Sequence, residues 1–294
     1  MSRHPEISFP PPRRRSLGLI GFGAFGQLMA RHLRPHLDLT AYDPALPPGA
    51  SAEHPDVRLG GLAAAAGCPI VVLAMPVSRI AETVAAIRPH LQPGALVLDV
   101  GSVKTLPAAI MAEGLPGDVD IVATHPLFGP QSARHGIAGL KIAVCPVRGR
   151  RGGEVTAFLS DVLGLTVIET TPEAHDRELA VAQGLTHLIA KVLVRMEPLP
   201  SAMTTRSFDL IMQAVDMVRH DAPEVFQAIE QSNPYAAALR RRFSDLVAEL
   251  DAELGAPAGP SPGDATRGSP ALTATGPSRH HWLNKAEAAA DGTA

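Results

Sequence analysis

Leu17-Gly18-Leu19-Ile20-Gly21-Phe22-Gly23-Ala24-Phe25-Gly26 is a short apolar run that ends in three spaced glycines. An amphipathic stretch follows, with Leu28, Met29, His32 and Leu33 at helical spacing. A second apolar run, residues 39–42, ends at Asp43. A G-x-G-x-x-G pattern alone is a weak signal. Between a strand and a helix, with an acidic residue roughly 20 positions on, it has the context that a dinucleotide-binding turn requires. Gly21 permits the tight turn, Gly23 lets backbone approach a pyrophosphate, and Gly26 allows the helix to pack close to the strand. The helix N-terminus offers unpaired N–H groups and a positive dipole end to the phosphates. Asp43 is placed to accept hydrogen bonds from both hydroxyls of an adenosine ribose, which selects NAD. With Ala24 and Phe25 in the turn, and Met75 and Pro76 at the break after the next central strand, these residues make up the expected cofactor site.

The α/β rhythm continues outward from this unit. An alanine-rich helix around residues 62–66 precedes a nearly pure apolar run at 69–74, as a parallel strand buried on both faces should read. A helical period follows at 80–87, and further strands are expected at 95–100, 119–123, 141–147 and 165–169, with a helix around 154–163. The pattern changes at Thr170. From Pro172 to about Met196 the period is helical, with Thr171 as N-cap and Pro172 in the first turn. Three more helical stretches are expected near 204–219, 222–231 and 234–254, the last started by Asn233-Pro234. The fold class is therefore α/β: a Rossmann-type, mostly parallel sheet over residues 16–170, followed by a smaller all-helical domain over 171–254. Residues 1–15, rich in proline and arginine, read as a disordered extension, and 255–294 as a disordered tail.

Composition narrows the function classes. The chain has 294 residues, 46% of them hydrophobic, which supports a sizeable core. A net charge of −3 with 4% aromatics leaves neither a basic footprint nor stacking platforms for nucleic acid. No apolar run reaches the roughly 18 residues of a membrane span. The N-terminal arginines are not followed by an apolar segment, so they do not read as a secretory signal. Cys68 and Cys145 both sit in apolar runs and read as small buried hydrophobes, which fits a reducing, cytoplasmic compartment. The adjacent His280 and His281 have no further ligands near them, and no metal site is expected.

The chemistry gathers at strand ends, where open α/β sheets bind their ligands. Ser102 and Lys104 follow the strand at 95–100, and His125 follows the one at 119–123. A histidine there is suited to proton transfer near neutral pH. Two more histidines, His175 and His187, lie on the long helix, a little over three turns apart, so they do not share one small site. His187 is taken as the functional one and His175 as structural.

Together these segments resemble the prephenate/arogenate dehydrogenase family of tyrosine biosynthesis. The matching stretches are GFGAFG at 21–26, DVGSVK at 99–104, THPLFGP at 124–130, HDRELAVAQGLTH at 175–187 and NPYAAALRRRF at 233–243, and THPLFGP looks especially like the plant-type branch. The resemblance implies NAD-dependent oxidative decarboxylation of prephenate, with arogenate as the alternative substrate. It implies His125 as the base on the ring hydroxyl, Ser102 as its hydrogen-bonding partner at the same centre, and His187 as a substrate contact. Lys104 is either a substrate contact or a structural cation beside the cofactor. The ring-carboxylate arginine of bacterial relatives does not align here, and Arg206 and Arg219 are the candidates for it. Arg206 stands just before Ser207-Phe208-Asp209-Leu210, where a cation suits a substrate with two carboxylates. A homodimer through the helical domain is expected, with no nucleic-acid or membrane partner.

Two other readings share the early features. A β-hydroxyacid dehydrogenase or imine reductase also joins a Rossmann domain to helices and would use a lysine on the connecting helix, where Lys191 lies. A non-catalytic NAD-sensing regulator would not need Ser102 and His125 together.

Overall fold

The computed structural model describes residues 14–46 and 56–255. The expectations for the termini, including His280 and His281, fall largely outside these residues. The chain divides into two units after Leu246, and the described residues of the second, 247–255, are the end of a helix.

The first half alternates as its apolar runs dictate: β1 (Ser16–Ile20), α1 (Ala24–Leu33), β2 (Asp38–Tyr42), β3 (Val57–Leu59), α2 (Leu62–Ala66), β4 (Ile70–Leu73), α3 (Ile80–Ile87), β5 (Leu96–Asp99), α4 (Thr105–Gly114) and β6 (Asp120–Pro126). Then come β7 (Lys141–Arg148), α5 (Gly152–Ala157) continued by a wide turn over Phe158–Val162, and β8 (Thr166–Glu169). The strands form one sheet in the order β3-β2-β1-β4-β5-β6-β7-β8. Every neighbouring pair is parallel except β6 and β7. The order reverses between β1 and β4, and that switch point is the crevice where a doubly wound sheet takes its ligand.

Alternation along the strands sorts the core into two layers. Ile20, Val71, Leu73, Val97 and Ile121 face α2, α3 and α4, packing with Ala65, Ile80, Val84 and Met111. Leu17, Leu19, Leu39, Ala41 and Val72 face the other way, against Ala30 and Leu33 of α1. Val144 of β7 joins Leu96, Val122 and Val155 of α5.

From Pro172 onward the chain is helical: α6 (Pro172–Leu179), a π-type turn at Ala180–Gly184, α7 (Leu185–Arg195), α8 (Arg206–Val218), α9 (Pro223–Gln227) with a second π-type turn at Ala228–Ser232, and α10 (Ala236–Gly255). Thr171 caps α6 by accepting from the Ala174 amide at 3.2 Å, and Thr205 caps α8 by accepting from Phe208 at 3.2 Å. The long helix is thus not regular throughout. Its widened turn adds a residue and re-phases everything after Gly184. No described helix is long and apolar enough to cross a membrane.

The structure departs from the sequence reading in three places. β3 is an additional strand of three residues, too short to show a period. α4 was not expected, because it buries only Pro107, Ala108 and Met111 and so shows little apolar period. β6 runs past Ala123 to Pro126, so His125 lies inside a strand rather than after one. The parallel partner stops at Asp99, opposite Ala123. The antiparallel partner β7 carries the pairing on, with His125 opposite Ala143 and Pro126 opposite Ile142.

Candidate active site

The glycine turn lies at the switch point. Gly21 has φ +99°, a conformation that side chains disfavour, and a Cβ there would meet the Ala74 carbonyl oxygen at 2.3 Å. A Cβ on Gly26 would meet the Gly21 carbonyl oxygen at 2.3 Å, so α1 presses against the turn. At Gly23 a Cβ would meet nothing within 4 Å. No side chain caps α1 at this end. A close-packed turn with one open side and uncapped amides fits a dinucleotide's pyrophosphate. Asp43 ends up beside the turn: its carboxylate accepts from the Phe22 amide at 2.7 Å and the Ala45 amide at 2.8 Å. Those bonds aim it without exhausting its acceptor capacity, since a carboxylate has about four lone-pair sites. Met75 packs on the core beside β4, Pro76 precedes a 3₁₀ turn at Val77–Arg79, and Phe25 lies 6.4 Å, centroid to centroid, from Phe128 in the loop after β6.

At the ends of β5 and β6 a buried polar cluster takes shape. Lys104 is wholly buried, and its ammonium donates to the equally buried Asp99 carboxylate and, at 2.6 Å, to the Thr124 carbonyl. The Thr124 hydroxyl donates to the Asp99 carbonyl at 2.6 Å. Burial pushes the Asp99 carboxyl above the ordinary carboxylate value, against the pull of Lys104. Lys104 is thus a tie between two strand ends. Of the two readings of Lys104, this geometry fits the structural cation, with two of its three N–H groups taken by protein.

His125 is 4% exposed, and its Nδ1 lies 2.9 Å from Nε2 of His175 on α6, the rings meeting edge to face at 68°. His175 Nδ1 in turn lies 2.8 Å from Asp176 Oδ1. Asp176 accepts from the Lys104 amide at 2.7 Å and the Thr105 amide at 2.9 Å, closing the N-terminus of α4 from the start of α6. Asn233 donates to the Asp176 carbonyl at 2.8 Å and so ties the end of the second π-type turn to the same place. Burial, then the neighbouring charges of His175 and Lys104, hold the His125 imidazole well below its ordinary value of 6.5, so it is a neutral base at working pH. Burial also raises Asp176, but hydrogen bonds from His175, Thr105 and Lys104 outweigh it and leave the carboxyl below its ordinary value.

Of the two helix histidines, His175, read as structural, is the one that reaches His125. His187 is buried elsewhere, with Nδ1 2.9 Å from the Gln183 carbonyl and Nε2 3.2 Å from the Asp221 carboxylate. Ser102 is half-buried at the end of β5, and His125's hydrogen-bond partner is His175 rather than Ser102. Arg206 is exposed at the first position of α8, and Arg219 is engaged by Glu197 and Asp216. The Lys191 ammonium lies 5.6 Å from the centroid of the Phe226 ring. Asp176 and Asn233 were missed. Asp176 could have been suspected from its place beside His175, but Asn233 read only as a helix start.

A cavity of about 520 Å³ lies on the sheet face covered by α1 and α5, walled largely by apolar chains such as Leu17, Val72, Leu98 and Phe158. Thr124 and Pro126 reach its wall from β6, while the buried histidines and Lys104 stand at the strand ends.

Comparison with known proteins bears on what this arrangement is for. Residues 52–144 match the model of the prephenate dehydrogenase nucleotide-binding domain. Arogenate dehydrogenase 2 of Arabidopsis thaliana is 28% identical over 81% of this chain and 69% of its own length. Arogenate dehydrogenase 1 of the same plant is 26% identical over 82% of this chain and 39% of its own length. In sequence the chain is thus similar to the prephenate and arogenate dehydrogenases. It spans about two-fifths of the longer plant relative. Among solved structures, prephenate dehydrogenase from A. aeolicus in complex with hydroxyphenyl propionate and NAD+ superposes with TM-score 0.63 at 18% identity, covering 83% of this chain and 92% of that one. Synechocystis arogenate dehydrogenase superposes with TM-score 0.60 at 19% identity, covering 82% and 93%. At those identities the likeness shows the fold shared across the prephenate/arogenate dehydrogenases.

Proposed function

We propose that this protein is an NAD-dependent dehydrogenase that oxidatively decarboxylates prephenate to 4-hydroxyphenylpyruvate. The observation that carries the reading is a buried, neutral histidine beside a glycine turn shaped for a dinucleotide, in a chain similar to this family. When bound, NAD+ supplies the hydride acceptor. As hydride leaves the hydroxyl-bearing ring carbon, positive charge develops there, and His125 takes the hydroxyl proton. The ring carboxylate leaves as carbon dioxide, and the electron pair it leaves behind makes the ring aromatic with the oxygen as phenolate. Ser102 lies at the same strand ends to hydrogen-bond the reacting oxygen. Asp43, beside the glycine turn, holds the ribose diol.

Residues 171–254 form the substrate and dimerisation part in this reading. Ile189 and Val192 on α7, Met196 just after it, and Leu210, Ile211 and Met217 on α8 are exposed apolar chains that a second copy would cover. Two buried free cysteines fit the cytoplasm.

A second reading, arogenate as substrate, is favoured by the names of the two plant relatives. The exposed position of Arg206 weakens the argument that a cation there selects prephenate. Measuring NAD+ reduction with each substrate tests both. Higher kcat/KM for prephenate supports the proposal, higher kcat/KM for arogenate replaces the substrate, and no reduction with either removes the activity.

A further inference from the structure

The proposed chemistry needs a free lone pair on His125, and an imidazole has two nitrogens from which to offer it. We infer that His175 and Asp176 are a positioning pair that sets the tautomer of His125, so that its Nε2 is the unprotonated, basic atom. The inference rests on His125 being the base of the proposed reaction.

Hydrogen-bond bookkeeping leads there in three steps. Asp176 holds two backbone amides with its carboxylate, Lys104 at 2.7 Å and Thr105 at 2.9 Å. An ionised carboxylate has only lone pairs to offer, so the hydrogen in its 2.8 Å contact with His175 belongs to the His175 Nδ1. We take His175 as neutral in the resting enzyme; its lone pair is then at Nε2, the atom that faces His125 Nδ1 at 2.9 Å. The hydrogen between the two rings therefore sits on His125 Nδ1, and the lone pair of His125 on Nε2. In the opposite order, with the hydrogen donated by His175, the Nδ1 lone pair of His125 would be consumed inside the protein.

The same chain serves the step itself. When His125 Nε2 takes the substrate proton it becomes an imidazolium, donating from Nδ1 to His175. The positive ring is stabilised by a hydrogen-bonded acceptor whose other nitrogen is anchored on a carboxylate. No proton has to travel further than the substrate oxygen to Nε2. This is the logic by which an acidic residue orients a catalytic imidazole, with a second imidazole inserted between them. Every member is at least nine-tenths buried, with His175 2% exposed and Asp176 0%, so water does not compete for these bonds.

The test uses the full-length protein, labelled with ¹⁵N-histidine, in parallel with NAD+ reduction by prephenate or arogenate, whichever is the better substrate. In wild type the ring shifts and couplings of His125 should report the Nδ1–H tautomer. His175→Phe, which removes the acceptor, should shift His125 to the Nε2–H tautomer and lower kcat by about 10²-fold, at the lower end of the worth of a positioned acid–base group, with KM for NAD+ unchanged. His175→Gln, whose amide oxygen can accept near the place of Nε2, should keep the Nδ1–H tautomer and recover kcat to within about tenfold of wild type. An Nε2–H tautomer in wild type, or equal losses in the Phe and Gln variants, would overturn the positioning role. His125→Asn separates this from failure of the parent reading. If that variant stays active while wild type shows the Nδ1–H tautomer, the pair sets the tautomer of a histidine that is not the base.

Discussion

Removing the Lys104 ammonium is the severest test of the cluster, because the structure leaves its partners nowhere to turn. In Lys104→Met the stem is nearly conserved and the charge is lost. Asp99 then remains fully buried, with one oxygen accepting from the Gly101 amide at 2.9 Å and the other without a partner. The Thr124 carbonyl loses a 2.6 Å donor as well. Breaking a buried ion pair from one side costs about 3–5 kcal/mol, and an unpaired carbonyl adds about 1–3 kcal/mol if no water reaches it. Protonation of Asp99 limits the sum. Burial already raises this carboxyl and Lys104 opposes the rise, so the variant carries it higher still. A carboxyl raised above its unfolded value stabilises the fold while protonated, and that stability is lost as pH rises through the folded value. Urea unfolding followed by circular dichroism should therefore show a loss of about 3–5 kcal/mol at pH 8 and a smaller one at pH 5. The double variant Lys104→Met/Asp99→Asn, with no buried charge, should recover at least about 1 kcal/mol of it. A single-variant loss below about 1 kcal/mol at pH 8, the range of a surface pair, would refute the burial argument.

The remaining outcomes are more direct. His125→Asn should lower kcat by about 10²–10⁴-fold with little change in NAD affinity; binding and turnover measured on one preparation check this, and activity within a few-fold of wild type places the base elsewhere. Because the His125 imidazole is held well below 6.5, the acid limb of kcat/KM should fall below the ordinary imidazole range; a limb centred at 6.5 or above contradicts that environment. Asp43 should repel a 2′-phosphate, so kcat/KM for NAD should exceed that for NADP; equal values count against the assigned ribose contact. Burial pushes the Cys145 thiol up to about 12 and raises Cys68 too, so neither should be alkylated by iodoacetamide at pH 8 until urea is added. Rapid labelling of the native protein, followed by mass spectrometry, would show that the sheet opens there.

The parts of the fold that could be read from sequence are those governed by local chemistry. β4 is visible because both its faces are buried, and α6 because Thr171 and Pro172 mark its start. The glycine turn is visible because three separate steric demands fall on three residues. The misread parts depend on partners far along the chain. β6 passes Ala123 only because β7 pairs with it antiparallel, and nothing in 119–126 announces that. The spacing of His175 and His187 correctly separates them, but the choice between them depends on which end of the long helix meets the strand ends. Lys104 resembled a functional cation because its two acceptors lie on separate strands, and only pairing of β5 with β6 brings them to one point.

The carboxylate of Asp176 also makes the docking of α6 measurable from the other side of the contact. The first amides of a helix have no intrahelical acceptor and usually exchange their hydrogens with solvent quickly. At α4 the amides of Lys104 and Thr105 are instead held by a residue roughly 70 positions further along the chain. Their deuterium uptake is slow only while α6 is seated. Each swing of α6 away from the sheet gives both amides an opportunity to exchange together. Their shared exchange rate then reports the free energy of that local opening, separately from global unfolding. The first-turn amides of α1, which no side chain caps, supply the fast reference within the same molecule.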